Sequence, residues 1–462
     1  MLPRKYENQS PVTFLPPVMK LFFVAIICFL VFFLFQLYLL LFLPENQEGI
    51  LDFSSTHRSL DNFSGMFVVI GTICAGAALW FGHFETDQEH IAHMLKYRLF
   101  SKACGNPLGL KHDSFIPALK VKNIGNDQYR VTIDTSSCSA DTLVKMPKII
   151  SAGLVDRYAG WGVVAVDEDP ASSFVSFIIE DINRSRKIFA KSVDDLCTGD
   201  VTRLRIQEGF DLDLTRTGSI LICGKTRSGK TTAIESILMQ VLAYGPDNYG
   251  SKVVIIDPKN AELSRLPYVI SPDKDGNAMA ILDAMKDYAE TRIQRQEILD
   301  ELSEQYGHPI MWWDAGMHPC FLFLDEWVAL QAIIPKKAPK DNPTYCLQTL
   351  QDLLRKLVTT GASAGCFVIL STAEASVESA GVPSMIRAAM STKILMRPTK
   401  QEGELLWSTK KMEALPERLY AQGDAWASSE DGIHDNPSFV QFPKLDFPEY
   451  EALRTLLINY NI

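Results

Sequence analysis

The amino-acid sequence predicts an α/β fold, a doubly wound parallel sheet that follows two membrane-spanning helices and a small α+β domain. Three observations lead to this prediction. Two long apolar runs lie near the N-terminus, short β-like runs recur over about 115–210, and buried strands alternate with helices from Gly218 onward. Parallel strands need a helical crossover and, when buried on both faces, read as continuous apolar runs.

The first apolar run, residues 21–43, has no charged residue, and Gln36 is its one strongly polar side chain. At about 1.5 Å per residue it is long enough to cross the roughly 30 Å hydrocarbon layer. A cleaved signal peptide is the alternative. That reading is disfavoured because the run is too long and no small-residue cleavage site follows it.

The second run, residues 66–83, is shorter and richer in small residues, so a buried core helix is an alternative to a second span. Its position directly after a first span favours spanning. The loop at 44–65 holds four acidic residues against Arg58, whereas lysines and arginines flank the outer ends of both runs. By the positive-inside rule, we expect a multi-pass protein of the cytoplasmic membrane, with both termini in the cytoplasm.

The remaining sequence divides into segments of different character. We expect a cytoplasmic tail at 1–20, the two spans within 21–83, a helical connector at 84–114, the small α+β domain at 115–210 and the large α/β domain at 211–462. The small domain shows β-like runs and one helical stretch, at 130–134, 161–166, 173–179 and 140–150. It contains no recognisable chemical motif.

The large domain is predicted from short apolar runs, each of which ends in a small or polar residue. The strands are expected at 219–223, 252–257, 321–325, 366–372 and 392–396, with helices at 231–243, 277–306 and 344–359. In such sheets, ligands bind at the carboxyl ends of the strands.

A glycine-rich loop follows the first of these strands. Residues 224–231 read GKTRSGKT, the G-x-x-x-x-G-K-[ST] pattern whose backbone N–H groups surround the phosphates of ATP. Lys230 would contact the β and γ phosphates, and the Thr231 hydroxyl would hold Mg²⁺. The residues expected to contact nucleotide are Gly224, Lys225, Thr226, Arg227, Ser228, Gly229, Lys230, Thr231 and Thr232.

A second motif ends the third strand, where four apolar residues are followed by Asp325 and Glu326. Asp325 would hold the Mg²⁺ and Glu326 would polarise the attacking water. A solvated acidic turn is the alternative, and the upstream phosphate loop makes it the weaker one. One strand lies between the two motifs in sequence. With a glutamate beside the metal-holding aspartate, this order is typical of RecA-like ATPases of the ASCE class rather than of nucleotide kinases.

The overall charge and the cysteine pattern exclude other classes of protein. The formal net charge of −10 argues against a generally basic, DNA-coating protein, although it allows a local basic surface. The nine cysteines are scattered and include no C-x-x-C pair. This is typical of reduced structural cysteines rather than of a disulfide framework or a zinc site.

Residues 255–264, IIDPKNAELS, resemble the IDPK-x-x-EL segment of the FtsK/SpoIIIE superfamily of DNA-pumping motors. The resemblance covers about 215–430 and is supported by the long charged helix near 280–306, the strand that ends at Asp325, Ser371-Thr372 and Gly423-Asp424-Ala425. With two spans ahead of it, the layout looks most like the coupling proteins of Gram-positive conjugative elements. The resemblance implies a homo-hexameric ATPase that delivers DNA, with its relaxase, to the proteins of a transfer channel.

One segment departs from the family pattern. Where the family usually reads ATQRP, residues 371–375 read STAEA. The glutamine expected to sense the γ-phosphate is therefore Ala373, and the group that replaces it stays open. By position around the fifth strand, Arg387 and Arg397 are candidates to reach a neighbouring subunit's nucleotide. A surface salt bridge is the commoner role for either arginine.

The loop after the Asp325 strand is basic and stiffened by proline. Residues 335–340 read PKKAPK, so Lys336, Lys337 and Lys340 lie close together. In a ring this loop could face the pore and contact DNA phosphates without sequence preference. An ordinary solvated surface loop is an equally good interpretation.

These observations lead us to expect a membrane-anchored, ATP-driven DNA translocase that acts as a conjugation coupling protein. A chromosome-partitioning motor of the same superfamily would normally carry more spans and a C-terminal DNA-orienting domain. A type VII-like protein-secretion ATPase usually has tandem ATPase domains, whereas this sequence has one phosphate loop. A P-loop protein that only binds nucleotide is a weaker alternative. Ring size, DNA strandedness and the relaxase partner are open at this point.

Overall fold

The computed structural model describes residues 6, 16–42, 54–125, 127–169, 171–373, 381–413, 415 and 419–461. Its contacts divide the chain into two compact units, Met1–Asn183 and Arg184–Ile462. The boundary expected near residue 210 is therefore wrong as a division of the packing. Residues 184–210 group with the large domain because the buried side chains of Ala190, Leu196, Leu204 and Ile206 belong to its core.

The first unit begins with two long apolar helices, α1 (Pro17–Phe42) and α2 (Ser54–Phe84). Both are long and apolar enough to cross a membrane, over Val18–Phe42 and Ser55–Phe84. Helix α2 begins well before the expected residue 66, because hydropathy marks only the apolar part of a helix and misses its polar first turns. Part of the expected outer loop, residues 43–53, lies outside the described residues.

Helices α1 and α2 pack closely against each other. A Cβ added at Gly71 would lie 3.3 Å from the Cys28 Cβ, so the small residue allows this approach. The polar side chain of Gln36 is satisfied within the pair, since its amide donates to Asp61 Oδ1 at 2.6 Å and to Ser64 Oγ at 3.0 Å. A buried amide in an apolar surrounding needs such partners.

The connector and the small domain form the rest of the first unit. Helix α3 (Asp87–Phe100) starts with a capping box between Thr86 and Glu89. An antiparallel sheet with the order β1-β2-β4-β3 follows, made of β1 (Leu119–Gly125), β2 (Gln128–Asp134), β3 (Trp161–Glu168) and β4 (Phe174–Asp181). The apolar faces of α3 and of this sheet share one core.

The single helix expected at 140–150 is two short helices, α4 (Ala140–Val144) and α5 (Pro147–Ala152). Pro147 is the cause, because proline has no N–H to donate to an upstream carbonyl and disfavours helical backbone in the residue before it. It fits instead at the first position of α5.

The second unit is built on one eight-stranded sheet with the order β10-β9-β11-β12-β8-β13-β14-β15. The strands of this unit are β5 (Phe189–Ala190), β6 (Arg203–Gln207), β7 (Phe210–Asp213), β8 (Ile220–Cys223), β9 (Val253–Ile256), β10 (Val269–Ile270), β11 (Cys320–Leu324), β12 (Cys366–Thr372), β13 (Thr392–Met396), β14 (Asp424–Ser429), β15 (Ser438–Gln441) and β16 (Lys444–Leu445). Strands β5 and β16 pair in parallel, and β6 and β7 pair in an antiparallel hairpin.

The structure confirms the predicted parallel sheet and adds two antiparallel strands at one edge, which the sequence did not predict. The neighbouring strands β10, β9, β11, β12, β8 and β13 are parallel. Strands β14 and β15 add next to β13 in antiparallel orientation. Strand β12 lies between β8 and β11, so a strand separates the phosphate-loop strand from the strand that ends at Asp325. This is the P-loop ATPase arrangement that the order of the motifs predicted.

Helices cover both faces of the sheet. They are α6 (Lys230–Ala243), α7 (Met279–Tyr306), α8 (Trp327–Ile333), α9 (Leu347–Thr360), α10 (Ser384–Ala389), α11 (Lys400–Leu406), α12 (Thr409–Glu413) and α13 (Glu449–Tyr460). Side chains of β11 alternate between the two cores, with Phe321 and Phe323 in one and Leu322 and Leu324 in the other. Because neighbouring strands from β10 through β13 in the sheet order are parallel, their carboxyl ends meet at one edge of the sheet, where the site lies.

Candidate ATP-hydrolysing site

The phosphate loop joins the end of β8 to the start of α6, and close packing requires its two glycines. A Cβ added at Gly224 would lie 2.7 Å from the Met396 Cβ, and one added at Gly229 would lie 2.6 Å from the Gly423 backbone nitrogen. Gly229 also has a φ of 96°, which glycine adopts without strain. Side chains at these positions would displace the loop from the sheet.

The loop is tied to its neighbours through its backbone. Gly224 N–H donates to the Thr372 carbonyl at 3.0 Å, and Gly423 N–H donates to the Ser228 carbonyl at 3.0 Å. Gly229 is the N-cap of α6, so the free N–H groups of the first helical turn are directed to the space beside the loop. Those groups and the helix dipole make this end of α6 a binding site for an anion such as a triphosphate.

The side chains of the loop differ in exposure. Lys225, Thr226 and Arg227 are exposed, and Lys225 Nζ lies 3.2 Å from Glu402 Oε1. Ser228 is buried, and its hydroxyl has no hydrogen-bond partner among the described residues. Lys230, Thr231 and Thr232 follow at the start of α6 and are partly exposed.

The structure brings Lys230 and Glu326 together. Lys230 Nζ lies 3.0 Å from Glu326 Oε2, and the Ala373 N–H donates to Glu326 Oε1 at 2.9 Å. Glu326 is only 5% exposed, although it is the N-cap residue of α8 with a left-handed φ of 54°. Such a backbone is strained for a glutamate. It directs the carboxylate toward the phosphate loop.

Ser371 links the two acidic residues of the second motif. Its hydroxyl donates to Asp325 Oδ1 at 2.5 Å and accepts the Glu326 N–H at 3.0 Å. Ser371 is fully buried at the end of β12, the strand next to β11. The segment that lacks the expected glutamine therefore contacts both acids through Ser371 and the Ala373 backbone. Glu374 and Ala375 lie outside the described residues.

The two carboxyl groups have pKa values shifted in opposite directions. Burial raises the pKa of Asp325, and the Ser371 hydrogen bond only partly offsets it. Burial also acts to raise the pKa of Glu326, but Lys230 and Lys259 outweigh it and hold that pKa below its ordinary value. Glu326 is consequently ionised across the neutral pH range and is able to accept a proton.

The residues at this edge fit a magnesium ion. Asp325 is a partly exposed carboxylate at the end of β11, and Thr231 supplies a hydroxyl at the start of α6. Among the described residues there is no group of three or more His, Cys, Asp or Glu side chains arranged as a metal site. Mg²⁺ needs none, because it is usually bound by one or two protein ligands together with substrate phosphates and water.

A cavity of about 310 Å³ adjoins the phosphate loop. Its lining includes Lys187, Gly229, Thr232, Glu235, Gln422, Gly423, Phe442, Pro443 and Glu449. Lys187 Nζ donates to the Gln422 carbonyl at 3.2 Å. Burial, together with Glu449 and Glu262, raises the pKa of Glu235 to about 7. The cavity is large enough for a nucleoside. The sequence motifs identified Gly229, Thr232 and Gly423 in its lining and missed the other lining residues.

The other predicted residues lie outside this cluster. Arg387 is half-buried on α10. Arg397 is exposed directly after β13, and its backbone N–H donates to the Asp424 carbonyl at 2.9 Å. Lys336, Lys337 and Lys340 are exposed on the loop between α8 and α9. Their roles toward a second subunit and toward DNA stay predictions.

Sequence reasoning also missed Lys259, whose Nζ lies 3.1 Å from Glu326 Oε2. This lysine belongs to the IDPK segment that carried the family resemblance, so the segment itself was the available signal. Its side chain reaches Glu326 because β9, which precedes it, is the neighbour of β11 in the sheet. Strand order, and not spacing in the sequence, creates the contact.

Comparison with known proteins identifies the family of this region. Residues 189–309 match the FtsK/SpoIIIE family. The Ftsk domain-containing protein YdcQ of Bacillus subtilis is 26% identical over 211 residues, which are 44% of this chain and 39% of YdcQ. The DNA translocase FtsK of Clostridium tetani is 25% identical over 202 residues, which are 39% of this chain and 25% of that protein.

A solved structure also aligns with much of the chain. The pCW3 conjugation coupling protein TcpA, in its monomer form with ATPgS, aligns at 14% identity with a TM-score of 0.48 and covers 80% of this chain and 99% of TcpA. The chain aligns with less than two fifths of the length of the curated relatives. The family match contains both the phosphate loop and the IDPK segment and confirms the resemblance. In residues 189–309 this chain is therefore similar to the FtsK/SpoIIIE family.

Proposed function

We propose that this protein is a membrane-anchored ATPase that moves DNA and acts as the coupling protein of a conjugative transfer system. One observation carries the proposal: Lys230 and Glu326 form an ion pair at the edge of a sheet whose phosphate loop lies in the segment that matches the FtsK/SpoIIIE family. The Clostridium tetani relative is named as a DNA translocase, and DNA is accordingly the proposed cargo.

The geometry supports hydrolysis of ATP in a defined way. The phosphates bind the backbone N–H groups of the loop and the first turn of α6, and the nucleoside occupies the cavity beside Thr232 and Gln422. Lys230 moves from Glu326 to the β and γ phosphates. Glu326 accepts a proton from the water that attacks the γ-phosphorus, the bond to the β-phosphate oxygen breaks, and ADP and phosphate leave. Thr231 and Asp325 would hold Mg²⁺, which neutralises phosphate charge.

The N-terminal helices support a membrane anchor. In both candidate spans only 11% of the most apolar window is buried within the first unit, as expected for helices that face lipid. The basic residues before α1 and after α2 favour the cytoplasmic side for both ends. We therefore propose that the ATPase domain lies in the cytoplasm, where ATP and DNA are available.

A ring of six subunits is part of the proposal. Arg397 follows β13, which pairs directly with the phosphate-loop strand β8, and it is exposed. It and Arg387 are our candidates for a cation that a neighbouring subunit's nucleotide would meet. The relaxase and the channel proteins would bind elsewhere on this ring.

The lysine loop between α8 and α9 is our candidate DNA contact. The Leu347 N–H donates to the Pro335 carbonyl at 2.9 Å, which closes the loop at its base. Lys336, Lys337 and Lys340 are exposed along it. Three positively charged side chains on a closed loop are suited to binding the phosphate backbone of DNA.

Replacing these three lysines with alanine should weaken DNA binding and flatten its salt dependence. If each contacts one phosphate, the slope of log K against log salt should fall by about 2 to 3. Titration of labelled DNA at several salt concentrations measures this slope. The matched control replaces three exposed lysines elsewhere, Lys191, Lys274 and Lys356, and so changes the net charge equally. Equal slopes for the two triple variants would remove the loop from the proposal.

Conjugative transfer tests the biological role. A donor cell that lacks this protein should lose transfer of its conjugative element and recover it with the wild-type chain but not with Glu326→Gln. Counting recipients that acquire the element measures this directly. Transfer at the wild-type frequency in the deletion strain would contradict the coupling role. Chromosome-partition defects or loss of protein secretion, with transfer intact, would favour the corresponding rival function.

A further inference from the structure

Lys259 and Lys230 contact the same oxygen of the proposed catalytic glutamate. Lys259 Nζ lies 3.1 Å and Lys230 Nζ 3.0 Å from Glu326 Oε2. The lysine of the phosphate loop has a second task, because it must reach the phosphates of ATP. Lys259 is not part of the phosphate loop, and the proposed hydrolysis step does not use it.

The position of Lys259 is built by a buried aspartate. Asp257 is fully buried, and its carboxylate accepts N–H groups from Lys259 at 3.0 Å, Ala261 at 2.8 Å and Ser264 at 3.0 Å. Pro258 restricts the backbone between the two residues. The turn after β9 is therefore rigid at the point where the lysine leaves it. This rigidity reduces the conformational entropy lost when the side chain is held in place.

The burial of the two partners is unequal. The Glu326 side chain is 7% exposed, whereas that of Lys259 is 51% exposed. A carboxylate so poorly hydrated needs protein partners for its oxygens. When Lys230 turns to the phosphates, the partners left to Glu326 among the described contacts are Lys259 on Oε2 and the Ala373 N–H on Oε1. These two contacts approach the carboxylate at different oxygens and so fix its orientation.

We propose that Lys259 is a positioning residue that holds the Glu326 carboxylate oriented toward the attacking water while Lys230 binds the phosphates. This inference rests on the proposed ATP hydrolysis, and it does not depend on DNA or on conjugation. Lys259 transfers no proton and forms no bond in the reaction. The proton of the attacking water goes to Glu326, as before.

The test replaces Lys259 with methionine, which keeps most of the length of the side chain without its charge, in the full chain reconstituted in lipid nanodiscs. We expect kcat for ATP to fall by about tenfold to hundredfold, while KM for ATP changes by less than about threefold. Lys259→Arg, which returns a cation to the same place, should restore most of kcat.

The matched control is Lys252→Met. Lys252 is an ion-paired lysine just before the same strand, β9, but its partner is Asp287 and it lies at the opposite end of the strand from the site. Its kcat and its KM for ATP should equal those of the wild type. If Lys259→Met folds poorly, Lys259→Gln serves as the second variant, with the same expected fall in kcat.

Two results would overturn the inference. The first is a kcat within about twofold of the wild type in Lys259→Met. The second is a reduced kcat that Lys259→Arg fails to restore or that comes with an equally large change in KM, since a merely structural role predicts that pattern. Failure of the proposed function is a separate outcome, recognised when Glu326→Gln hydrolyses ATP at the wild-type rate.

Discussion

Replacing Lys230 with alanine should abolish the binding of ATP. The Lys230 amine is the charged group of the loop that contacts Glu326, and Lys230 is the one lysine in α6. Its loss removes the cation that meets the β and γ phosphates and leaves the ionised Glu326 carboxylate to repel them. Affinity for a fluorescent ATP analogue should fall by at least about a hundredfold, which corresponds to about 2.7 kcal/mol.

The control for this prediction is the thermal stability of the variant without nucleotide. Glu326 keeps Lys259 at 3.1 Å as a second partner, so the folded state should persist. Binding within about threefold of the wild type in a folded variant would show that the triphosphate binds elsewhere.

Glu326→Gln should keep ATP binding and stop hydrolysis. Glutamine has the same shape and is able to accept the Ala373 N–H at the same place, but it cannot accept a proton from water. The rate of phosphate release should fall by about a hundredfold to ten-thousandfold. Affinity for ATP should stay equal or rise, because the carboxylate no longer competes with the phosphates for Lys230.

Single-turnover phosphate release with saturating ATP measures this effect apart from product release. Glu402→Gln is a useful comparison, because Glu402 pairs with the loop residue Lys225 at 3.2 Å and is not part of the Asp325–Glu326 motif. A normal hydrolysis rate in Glu326→Gln would refute the role given to this glutamate.

Much of the nucleotide site could be predicted because its chemistry is local in sequence. The eight-residue loop 224–231 needs glycines, a lysine and a hydroxyl at set spacings, and the apolar strand before Asp325 is equally local. Strands β12 and β13 have the predicted bounds, 366–372 and 392–396, because continuous apolar runs are unambiguous when both faces are buried.

The contacts that organise the acids could not be predicted, because they depend on strand order. Ser371 reaches both Asp325 and Glu326 since β12 is the neighbour of β11, and Lys259 reaches Glu326 since β9 is its other neighbour. Each pair is separated by 45 residues or more in sequence. Periodicity carries no information about which strands become neighbours.

Other differences between the predicted and the observed helices and strands have local causes. The antiparallel strands β14 and β15 lie at a sheet edge, where a hairpin adds without a helical crossover, and their short runs gave little signal. The polar start of α2 at Ser54 was missed because a hydropathy window reports only apolar segments. The break at Pro147 was available in the sequence, since proline inside a helical pattern predicts a boundary.

The central claim is that hydrolysis at Lys230 and Glu326 is coupled to DNA. The most direct test measures ATP hydrolysis by the full chain in lipid nanodiscs without DNA, with single-stranded DNA and with double-stranded DNA. We predict that one of the two DNA forms raises the rate several-fold and that Glu326→Gln remains inactive with both. A wild-type rate that neither form of DNA changes, in a protein whose hydrolysis still requires Lys230, would contradict the account.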